Sequence, residues 1–267
     1  MKHLKGLVCL VAVFVFVVWS GKGLANEIVI GYTGPLSGPA AEYGQDIYSG
    51  IEMAVKEINA AGGITVAGKK YTFKLDKLDD RIDPTLTVNN ARRFKANKAI
   101  AVFNGVFNTL APMMKINQEK GSEFIVMAYT STPKVEDLGN KLMVCTTTSF
   151  TPYVQAFAEW AMSKGWKKAA MVVTLGAYGD EWRSAFKEYW IKRGGEITAD
   201  KPANYYTETD FSSPIAAAIA TNPEVMLIGG PSATTALVIE QARSMGFKGG
   251  FILIDQAKQD YIAKLLK

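Results

Sequence analysis

Two short polar segments carry side chains that can hold a carboxylate. Residues 104–109 are NGVFNT and residues 129–133 are YTSTP. In the first segment Asn108, Thr109 and the free backbone N–H groups that open a helix could receive an anion at the positive end of the helix dipole. Capping of that helix by the same side chains is the structural alternative, and the two roles are compatible. Two such segments after successive predicted strands favour a binding role.

A second pair of segments offers an acid and an aromatic hydroxyl. Asp255 directly follows a short apolar run, and Tyr178 follows another one in the same half of the chain. Capping of the next helix is the alternative role for Asp255. Opposite charges at the two ends of a cleft would fit the carboxylate and the ammonium group of an α-amino acid. Tyrosines such as Tyr178 would then supply apolar contact to the ligand side chain.

Residues 33–44, TGPLSGPAAEYG, follow the first apolar run of the chain after residue 25. Glycine lets a backbone approach a ligand closely, and Tyr43 offers an aromatic face with a hydroxyl. The glycines of this region lack the spacing of a dinucleotide-binding fingerprint. On the residues alone, a ligand-facing wall and a plain strand-to-helix turn are equally compatible with the segment.

Three aspartates, Asp79, Asp80 and Asp83, raise the question of a metal site. Asp83 stands directly before Pro84, a pairing that predicts a helix cap followed by proline at the first helical position. The other two are expected to be polar residues at a strand end. We therefore predict no metal ion here.

Groups for nucleophilic catalysis are scarce. His3 is the only histidine of the chain, and its two cysteines are Cys9 and Cys145. Loss of residues 1–25 would leave no imidazole for a Ser-His-Asp or Cys-His system and too few ligands for zinc. Cys145 would have no disulfide partner and is predicted to be a buried strand thiol. We predict no catalytic residues and no cofactor, with a carboxylate-dependent hydrolase as the remaining enzymatic alternative.

Residues 1–25 have the three-part order of a secretory signal peptide: a basic start, the apolar run 7–19, and small residues before Asn26. A spanning helix needs about 20 apolar residues, so cleavage after Ala25 is favoured over an uncleaved membrane anchor. Removing Lys2, Lys5 and Lys22 lowers the net charge from +5 to +2. Because no basic block remains, we predict a secreted protein with no nucleic-acid partner.

Short apolar runs alternate with longer amphipathic ones along the rest of the chain. This alternation predicts parallel sheets with helices on both faces, in two similar doubly wound α/β lobes joined by the polar segment 146–151. Ligands of such sheets bind beyond the carboxyl ends of the strands. The predicted strands are residues 28–32, 71–78, 99–103, 124–128, 168–174, 196–200, 225–228 and 251–254. The predicted helices begin near residues 45, 84, 110, 151, 178, 213, 233 and 261.

Several segments resemble the periplasmic branched-chain amino acid (leucine/isoleucine/valine) binding proteins of ABC importers, which have the type I periplasmic-binding fold. The matching segments follow family order over nearly the whole chain after residue 25. They are residues 34–38 (GPLSG), 43–44 (YG), 58–64 (INAAGGI), 79–84 (DDRIDP), 178–179 (YG), 210–212 (DFS) and 241–246 (QARSMG). The resemblance implies a monomeric, bilobed periplasmic protein that closes on its ligand and delivers it to an ABC permease in the inner membrane. A ligand sensor of the same fold, which signals rather than transports, is the alternative.

The resemblance also implies which residues contact the ligand. Its carboxylate-binding loop falls on residues 107–109, where Phe107 can offer only its backbone because it has no hydroxyl. Asp255 stands where the family has an acid for the ligand ammonium. Because Phe107 and Tyr129 are bulky, a different amino acid, an amide or an aromatic acid is plausible in place of leucine. The predicted ligand contacts are Tyr43, Phe107, Asn108, Thr109, Tyr129, Thr130, Ser131, Tyr178 and Asp255.

The predicted domains are the signal peptide 1–25, a first lobe 26–147, a second lobe 148–250, and a return into the first lobe at 251–267. Members of the family cross between their lobes three times, and this sequence ends after the second crossing. We therefore expect a C-terminally incomplete chain that lacks the final strands and helices of both lobes. Residues 26–267 alone are expected to be unstable and to show no cooperative thermal transition.

Overall fold

A computed structural model describes residues 26–121 and 123–266. The predicted signal peptide, its cleavage point after Ala25, and the residues His3 and Cys9 lie outside the described residues. The strands are β1 (Asn26–Gly34), β2 (Ile64–Val66), β3 (Lys69–Asp79), β4 (Ala101–Asn104), β5 (Ile125–Ala128), β6 (Met143–Cys145), β7 (Lys168–Val173), β8 (Glu196–Asp200), β9 (Val225–Gly229) and β10 (Gly250–Leu253). The helices are α1 (Ala41–Ala60), α2 (Pro84–Ala96), α3 (Phe107–Ile116), α4 (Lys134–Asp137), α5 (Thr151–Ser163), α6 (Ala177–Lys192), α7 (Ser212–Ile219), α8 (Ser232–Ser244) and α9 (Gln259–Leu265).

The first sheet has six strands in the order β2-β3-β1-β4-β5-β6. Its pairs are parallel except for the short β2, which runs antiparallel to β3. In the register, Tyr32 lies opposite Phe103, and Asn104 lies opposite Ala128. The carboxyl ends of β1, β4 and β5 therefore meet at one edge of the sheet.

The second sheet has four strands in the order β10-β9-β7-β8, and all of its pairs are parallel. Alternate strand residues are buried on opposite faces, as expected when helices cover both sides of a parallel sheet. Met171 and Leu227 join a core with α5 and α6, whereas Val172 and Met226 join a core with α7 and α8. The two sheets with their helices confirm the predicted α/β fold of two doubly wound lobes.

The first sheet is covered less evenly. Val102 and Val126 face a core built with α2 and α3. On the opposite face α1 packs along β3, and only Gly44 and Tyr48 of this 20-residue helix are buried. Ile125 of β5 and Val144 of β6 are 40% and 47% exposed. One face of this sheet therefore carries most of the buried apolar contact.

Several predicted elements are confirmed in detail. Helix α5 begins at the predicted residue 151, and strand β8 has the predicted bounds. The cap of α2 is also as predicted, because Asp83 Oδ1 accepts hydrogen bonds from the backbone N–H groups of Thr85 and Leu86, at 2.6 and 3.2 Å. The sequence reading misses β2 and α4, which are three and four residues long, and predicts β6 only as the strand that holds Cys145. Elements this short leave too little periodicity to detect.

The last segment of the chain lies with the second sheet. The sequence predicts a return into the first lobe from residue 251, but β10 pairs with β9, and α9 packs against α8. Ile262 and Ala257 share a small buried cluster with Ala236 of α8. The boundary between the lobes stays a prediction.

Cys145 is the cysteine of the described residues. Cys145 is half-buried in the edge strand β6, where it contacts the sulfur of Met143, so the predicted full burial of this thiol is wrong. Because β6 is the last strand of the sheet, it pairs with a strand on one side only, and this leaves Cys145 half-buried.

Among the helices of residues 26–121 and 123–266, none combines the length and apolar character needed to cross a membrane.

Candidate functional site

A cavity of about 420 Å³ lies where the carboxyl ends of the two sheets face each other. The segments that follow β4 and β5 line it from the first sheet, and the segment that follows β10 lines it from the second. Residues of α5 and of the crossing before it complete the wall. The structure thus puts the cavity where ligands bind in open parallel sheets. Of the nine predicted contacts, seven line it: Tyr43, Phe107, Tyr129, Thr130, Ser131, Tyr178 and Asp255.

Tyr43 begins the wall on the side of the first sheet. Its hydroxyl donates a hydrogen bond to the carbonyl oxygen of Gly105, at 3.1 Å, and its ring lies 6.5 Å from the ring of Tyr129. Burial raises the pKa of the Tyr43 hydroxyl well above its ordinary value. A Cβ at Gly105 would lie 2.5 Å from Cδ1 of Ile47, so a larger residue there would require the Ile47 side chain to shift. These contacts fix the tyrosine ring against the loop after β4.

The start of α3 differs from the prediction. The helix begins at Phe107, three residues before the predicted start, and its N-cap residue is Val106. Asn104 holds this turn, since its Oδ1 accepts hydrogen bonds from the Val106 N–H and the Thr109 hydroxyl, at 2.9 and 3.1 Å. Capping by Asn108 or Thr109 is therefore wrong, because both already lie in the first helical turn. The Thr109 N–H donates to the carbonyl oxygen of Val106, at 3.0 Å, which leaves the N–H groups of Phe107 and Asn108 at the first two helical positions for an anion.

Asn108 and Thr109 do not line the cavity. Thr109 is fully buried, and its hydroxyl also bonds to the carbonyl oxygen of Val106, at 3.0 Å. Asn108 is exposed, and its side-chain amide lies against Gly176 of the second lobe, where a Cβ would come within 2.8 Å of Nδ2. The early helix start explains both positions, because it places the Thr109 hydroxyl against Asn104 and Val106 and the Asn108 amide against Gly176. Their predicted contact with a ligand carboxylate therefore has no support in the geometry.

Thr130 and Ser131 supply hydroxyls to the same wall. Both residues are buried, at 7% and 6% exposure, in the loop after β5. The Thr130 hydroxyl accepts a long hydrogen bond from the Thr132 N–H, at 3.4 Å. The carbonyl oxygen of Ser131 accepts from the Phe150 N–H, at 2.9 Å, and so ties this loop to the start of α5. Because the Thr130 hydroxyl acts as an acceptor in its bond with the Thr132 N–H, its proton can still be donated to a ligand.

Asp255 and Tyr178 form the charged part of the opposite wall. Asp255 Oδ1 accepts a short hydrogen bond from the Tyr178 hydroxyl and a second one from Nε1 of Trp182, at 2.8 Å. The Gln256 N–H in turn donates to the Tyr178 hydroxyl, at 3.2 Å. Burial and the neighbouring Asp255 carboxylate raise the pKa of Tyr178 well above its ordinary value, so it remains a donor at neutral pH. Asp255 does not cap α9, whose N-cap residue is Lys258.

The sequence reading missed several residues of the wall. Tyr153 and Phe157 lie one turn apart on α5 and both line the cavity, as do Tyr206 and Gln256. The Tyr206 hydroxyl donates a weak hydrogen bond to Oε1 of Gln256, at 3.5 Å. The spacing of Tyr153 and Phe157 marks one helix face, but only the packing of the lobes reveals that this face borders a cavity. Tyr206 lies in an irregular segment that gives no signal in the sequence.

Lys258 links the two lobes at the rim of the cavity. Its ammonium group lies 3.0 Å from Oε1 of Glu42 and forms a shorter contact with Oδ2 of Asp46, both on α1. Lys134 and Glu181 form a second, longer pair between the lobes, at 3.9 Å. Among the residues that the structure describes, Lys258 is the cation that lines the cavity, and Glu42 and Asp46 already neutralise it.

The three aspartates raised as a metal alternative hold loops instead. Asp80 is fully buried and accepts hydrogen bonds from the Thr33 and Thr87 hydroxyls and the Asn104 amide, at 3.2, 3.0 and 3.2 Å. Asp79 accepts from the Leu36 N–H, at 2.9 Å, and from the Ser37 hydroxyl, at 2.5 Å. Within the described part of the chain, no group of three or more His, Cys, Asp or Glu residues could hold a metal ion.

Comparisons with known proteins agree with this architecture. A family model described as "Periplasmic binding protein" matches residues 27–261. The Leu/Ile/Val-binding protein of Escherichia coli K12 is 28% identical over 253 residues, which cover 94% of this chain and 67% of that protein. The Leu/Ile/Val-binding protein homolog 1 of Brucella melitensis is 29% identical over 267 residues, which cover 99% of this chain and 69% of that one.

Solved structures share the fold. A leucine binding protein from Thermotoga maritima has a TM-score of 0.75 at 23% identity, over 90% of this chain and 66% of that one. A solute binding protein from Rhodopseudomonas palustris in complex with 4-hydroxybenzoate has a TM-score of 0.74 at 19% identity, over 85% and 61%. The chain thus spans about two thirds of the length of the relatives it matches. With the family model matching most of its length, the chain belongs to the periplasmic binding protein family, of the type I fold.

Proposed function

We propose that this chain belongs to an extracytoplasmic solute-binding protein that captures a small amino acid, or a related amide or acid, and delivers it to the permease of an ABC importer. The observation that carries the proposal is the cavity between the carboxyl ends of the two sheets. Its opposite walls offer different chemistry: hydroxyls and helix N–H groups on one side and a carboxylate on the other. The family consists of binding proteins rather than enzymes, so the protein is proposed to release its ligand chemically unchanged.

The two walls suit the two charges of an α-amino acid. The ligand carboxylate would accept hydrogen bonds from the first turn of α3 and from the hydroxyls of Thr130 and Ser131. The ligand ammonium would donate to Asp255, whose Oδ1 is already fixed by Tyr178 and Trp182. Because these two donors hold the carboxylate before a ligand arrives, little ordering is needed on binding. Tyr43, Phe107 and Tyr129 would contact the remaining part of the ligand.

The relatives support a role in solute uptake. Those named above are Leu/Ile/Val-binding proteins or solute binding proteins of ABC transporters. Their ligands differ, since one of the solved structures contains 4-hydroxybenzoate. By this proposal the protein acts as a monomer in the periplasm, after cleavage behind Ala25, and its partner is a permease in the inner membrane.

The experiment that tests the proposal is a thermal-shift screen of the purified full-length protein to which the chain belongs, against amino acids, amides and small acids. A ligand that binds only the folded state stabilises it by about 2.7 kcal/mol at a hundredfold excess over its dissociation constant. At least one amino acid should raise the melting temperature in proportion to the logarithm of its concentration. Stabilisation by none of the compounds would contradict the proposal.

Asp255→Asn then tests the role of the charged wall. The asparagine oxygen can still accept from Tyr178 and Trp182, so the wall should keep its shape while losing its charge. We expect amino-acid affinity to fall by at least about tenfold, because a hydrogen bond to a charged group is lost. Asp260→Asn is the matched control, since Asp260 is an exposed acid of α9 outside the cavity wall. Equal affinity in the two variants would show that Asp255 does not hold the ammonium.

A further inference from the structure

Aromatic side chains form much of the cavity wall. Seven of the lining residues carry an aromatic ring, and they come from both lobes and from α5. Four of them face the cavity as half-buried or exposed rings on opposite sides: Tyr43 and Tyr129 on the first-lobe side, and Tyr153 and Phe157 on α5. A small aliphatic ligand needs only apolar contact, which leucine or valine side chains would supply as well. So many rings therefore call for an explanation of their own.

The rings on α5 end a continuous aromatic stack. Phe150 stacks on Trp182 with ring centroids 4.9 Å apart, and Trp182 lies 6.5 Å from Phe157 at an interplanar angle of 13°. Phe157 in turn lies 6.0 Å from Tyr153, at 14°. Phe150 and Trp182 are fully buried, so the stack is anchored in the core of the second lobe. Its last two rings, Phe157 and Tyr153, line the cavity.

Four of the five tyrosine hydroxyls of the wall are engaged by the protein itself. Tyr43 donates to the carbonyl oxygen of Gly105, Tyr178 donates to Asp255, and Tyr153 shares a hydrogen bond with the Thr148 hydroxyl, at 3.0 Å. Tyr206 donates to Gln256. With their polar atoms held in this way, these residues present ring faces and edges to a ligand rather than hydroxyl groups. Ring faces and edges are what another aromatic ring binds best.

The charged residues of the wall favour a ligand that carries an ammonium group. Asp255 would repel a ligand that carries only a carboxylate, and Lys258 is already paired with Glu42 and Asp46. The carboxylate of a simple aromatic acid would therefore lie near Asp255 with no unpaired cation among the described residues of the wall to neutralise its charge. An ammonium group on the ligand removes this conflict. The lining thus combines a preference for a ring with a preference for a zwitterion.

We propose that the ligand is an α-amino acid with an aromatic side chain, whose ring lies between the Tyr43–Tyr129 pair and the Tyr153–Phe157 end of the stack. This inference rests on the proposed function, since it names the class of solute held in the same cavity. The amino and carboxylate groups make the contacts described above, and the ring adds aromatic contact on both sides.

Calorimetric titration of the purified protein with four compounds tests the proposal. The compounds are L-phenylalanine, L-cyclohexylalanine, L-leucine and 4-hydroxybenzoate. Cyclohexylalanine keeps the size and shape of the side chain but has no π-electrons. Because paired aromatic contacts add to the contribution of buried area, L-phenylalanine should bind about tenfold more tightly than L-cyclohexylalanine, and more tightly than L-leucine.

Phe157→Leu and Trp160→Leu form a matched pair of variants on α5. Trp160 is 54% exposed and lies outside the cavity wall, so its loss controls for a general effect on the helix. Phe157→Leu should weaken L-phenylalanine binding about tenfold and L-leucine binding less than about twofold. Trp160→Leu should leave both unchanged. A loss of both ligands to the same extent in Phe157→Leu would mean that this ring only supports the fold.

The other outcomes separate the inference from the proposed function. Tighter binding of L-leucine, or equal binding of L-phenylalanine and L-cyclohexylalanine, would overturn the aromatic preference and leave the amino-acid role intact. Tightest binding of 4-hydroxybenzoate would overturn both the inference and the role of Asp255. Binding of none of the amino acids, here and in the wider screen, would overturn the proposed function and the inference together.

Discussion

The two sheets of this molecule are stabilised in different ways. The second sheet is covered on both faces by helices and contains two fully buried cores with Trp182, Trp190 and Tyr205. The first sheet buries one face under α2 and α3, and its opposite face leaves Ile125 and Val144 partly exposed. At the carboxyl ends of its strands it relies on the polar contacts of Asp79 and Asp80. The rigid wall of the cavity, with Asp255, therefore belongs to the better-packed lobe.

A matched pair of core substitutions should show the largest difference between the sheets. Leu227→Ala removes a fully buried side chain of β9, and we expect a loss of about 3 kcal/mol in the free energy of unfolding. Ile125→Ala shortens a 40% exposed side chain of β5 and should cost less than about 1 kcal/mol. Urea denaturation of the full-length protein, followed by circular dichroism, measures both. Equal losses would mean that another surface covers Ile125 in solution, and the comparison between the sheets would fail.

The pH dependence of the first lobe should show an intermediate effect. Burial and, to a smaller extent, the charge of Asp79 raise the pKa of Asp80 above 3.8, although its hydrogen bonds oppose the shift. Because the folded state then binds the proton more tightly than the unfolded state, the contribution of Asp80 to stability is present below pH 3.8. It is lost as the pH rises through the raised pKa. The stability of the wild type relative to Asp80→Asn should therefore decrease with rising pH in this window.

Asp79 provides the matched control with the opposite sign. Partial burial opposes its ionisation, but hydrogen bonds from Ser37 and the Leu36 and Arg81 N–H groups outweigh it and hold the pKa of Asp79 below 3.8. Its contribution is present above pH 3.8 and is lost as the pH falls through the lowered pKa, so stability relative to Asp79→Asn should increase with pH. Urea midpoints across the acidic range measure both differences. Slopes of the same sign for the two variants would contradict this account of the loop.

The smallest expected effect concerns the contact between the lobes. Lys258→Met removes the ammonium that pairs with Glu42 and Asp46, and such partly exposed pairs contribute at most about 1 kcal/mol. Ligand affinity should fall less than about fivefold, and the difference from the wild type should shrink as salt is added. Lys264→Met, an exposed lysine of α9, is the control. A loss that persists at high salt would point to direct contact of Lys258 with the ligand.

The sequence predicts the second lobe more completely than the first. The start of α5 and the bounds of β8 agree with the structure because glycine, proline and clear periodicity mark them. In the first lobe β2 is too short to show a period, β6 is predicted only at Cys145, and α3 starts early because Asn104 closes its first turn. That local bond also explains why Asn108 and Thr109 are absent from the cavity wall.

The sequence predicts those residues of the candidate site that come soon after a strand, and it misses those that reach the cavity from other elements. Tyr129, Thr130 and Asp255 follow β5 and β10 and line the cavity as expected. Tyr153, Phe157 and Tyr206 reach it from a helix and an irregular segment, through contacts between parts of the chain that are far apart in sequence. Local patterns carry no information on such contacts. The stack that includes Phe157 could therefore only be recognised in three dimensions.

Hydrogen–deuterium exchange with and without a stabilising amino acid tests the central claim most directly. A ligand that bridges the two walls should slow exchange in residues 105–110 and 129–131 of the first lobe and in residues 254–258 of the second, in the same sample. Segments remote from the cavity, such as β2, should be unaffected and serve as an internal reference. Protection of both walls is the predicted result. Protection of one wall alone, or of neither while the protein is still stabilised, would contradict binding between the two sheets.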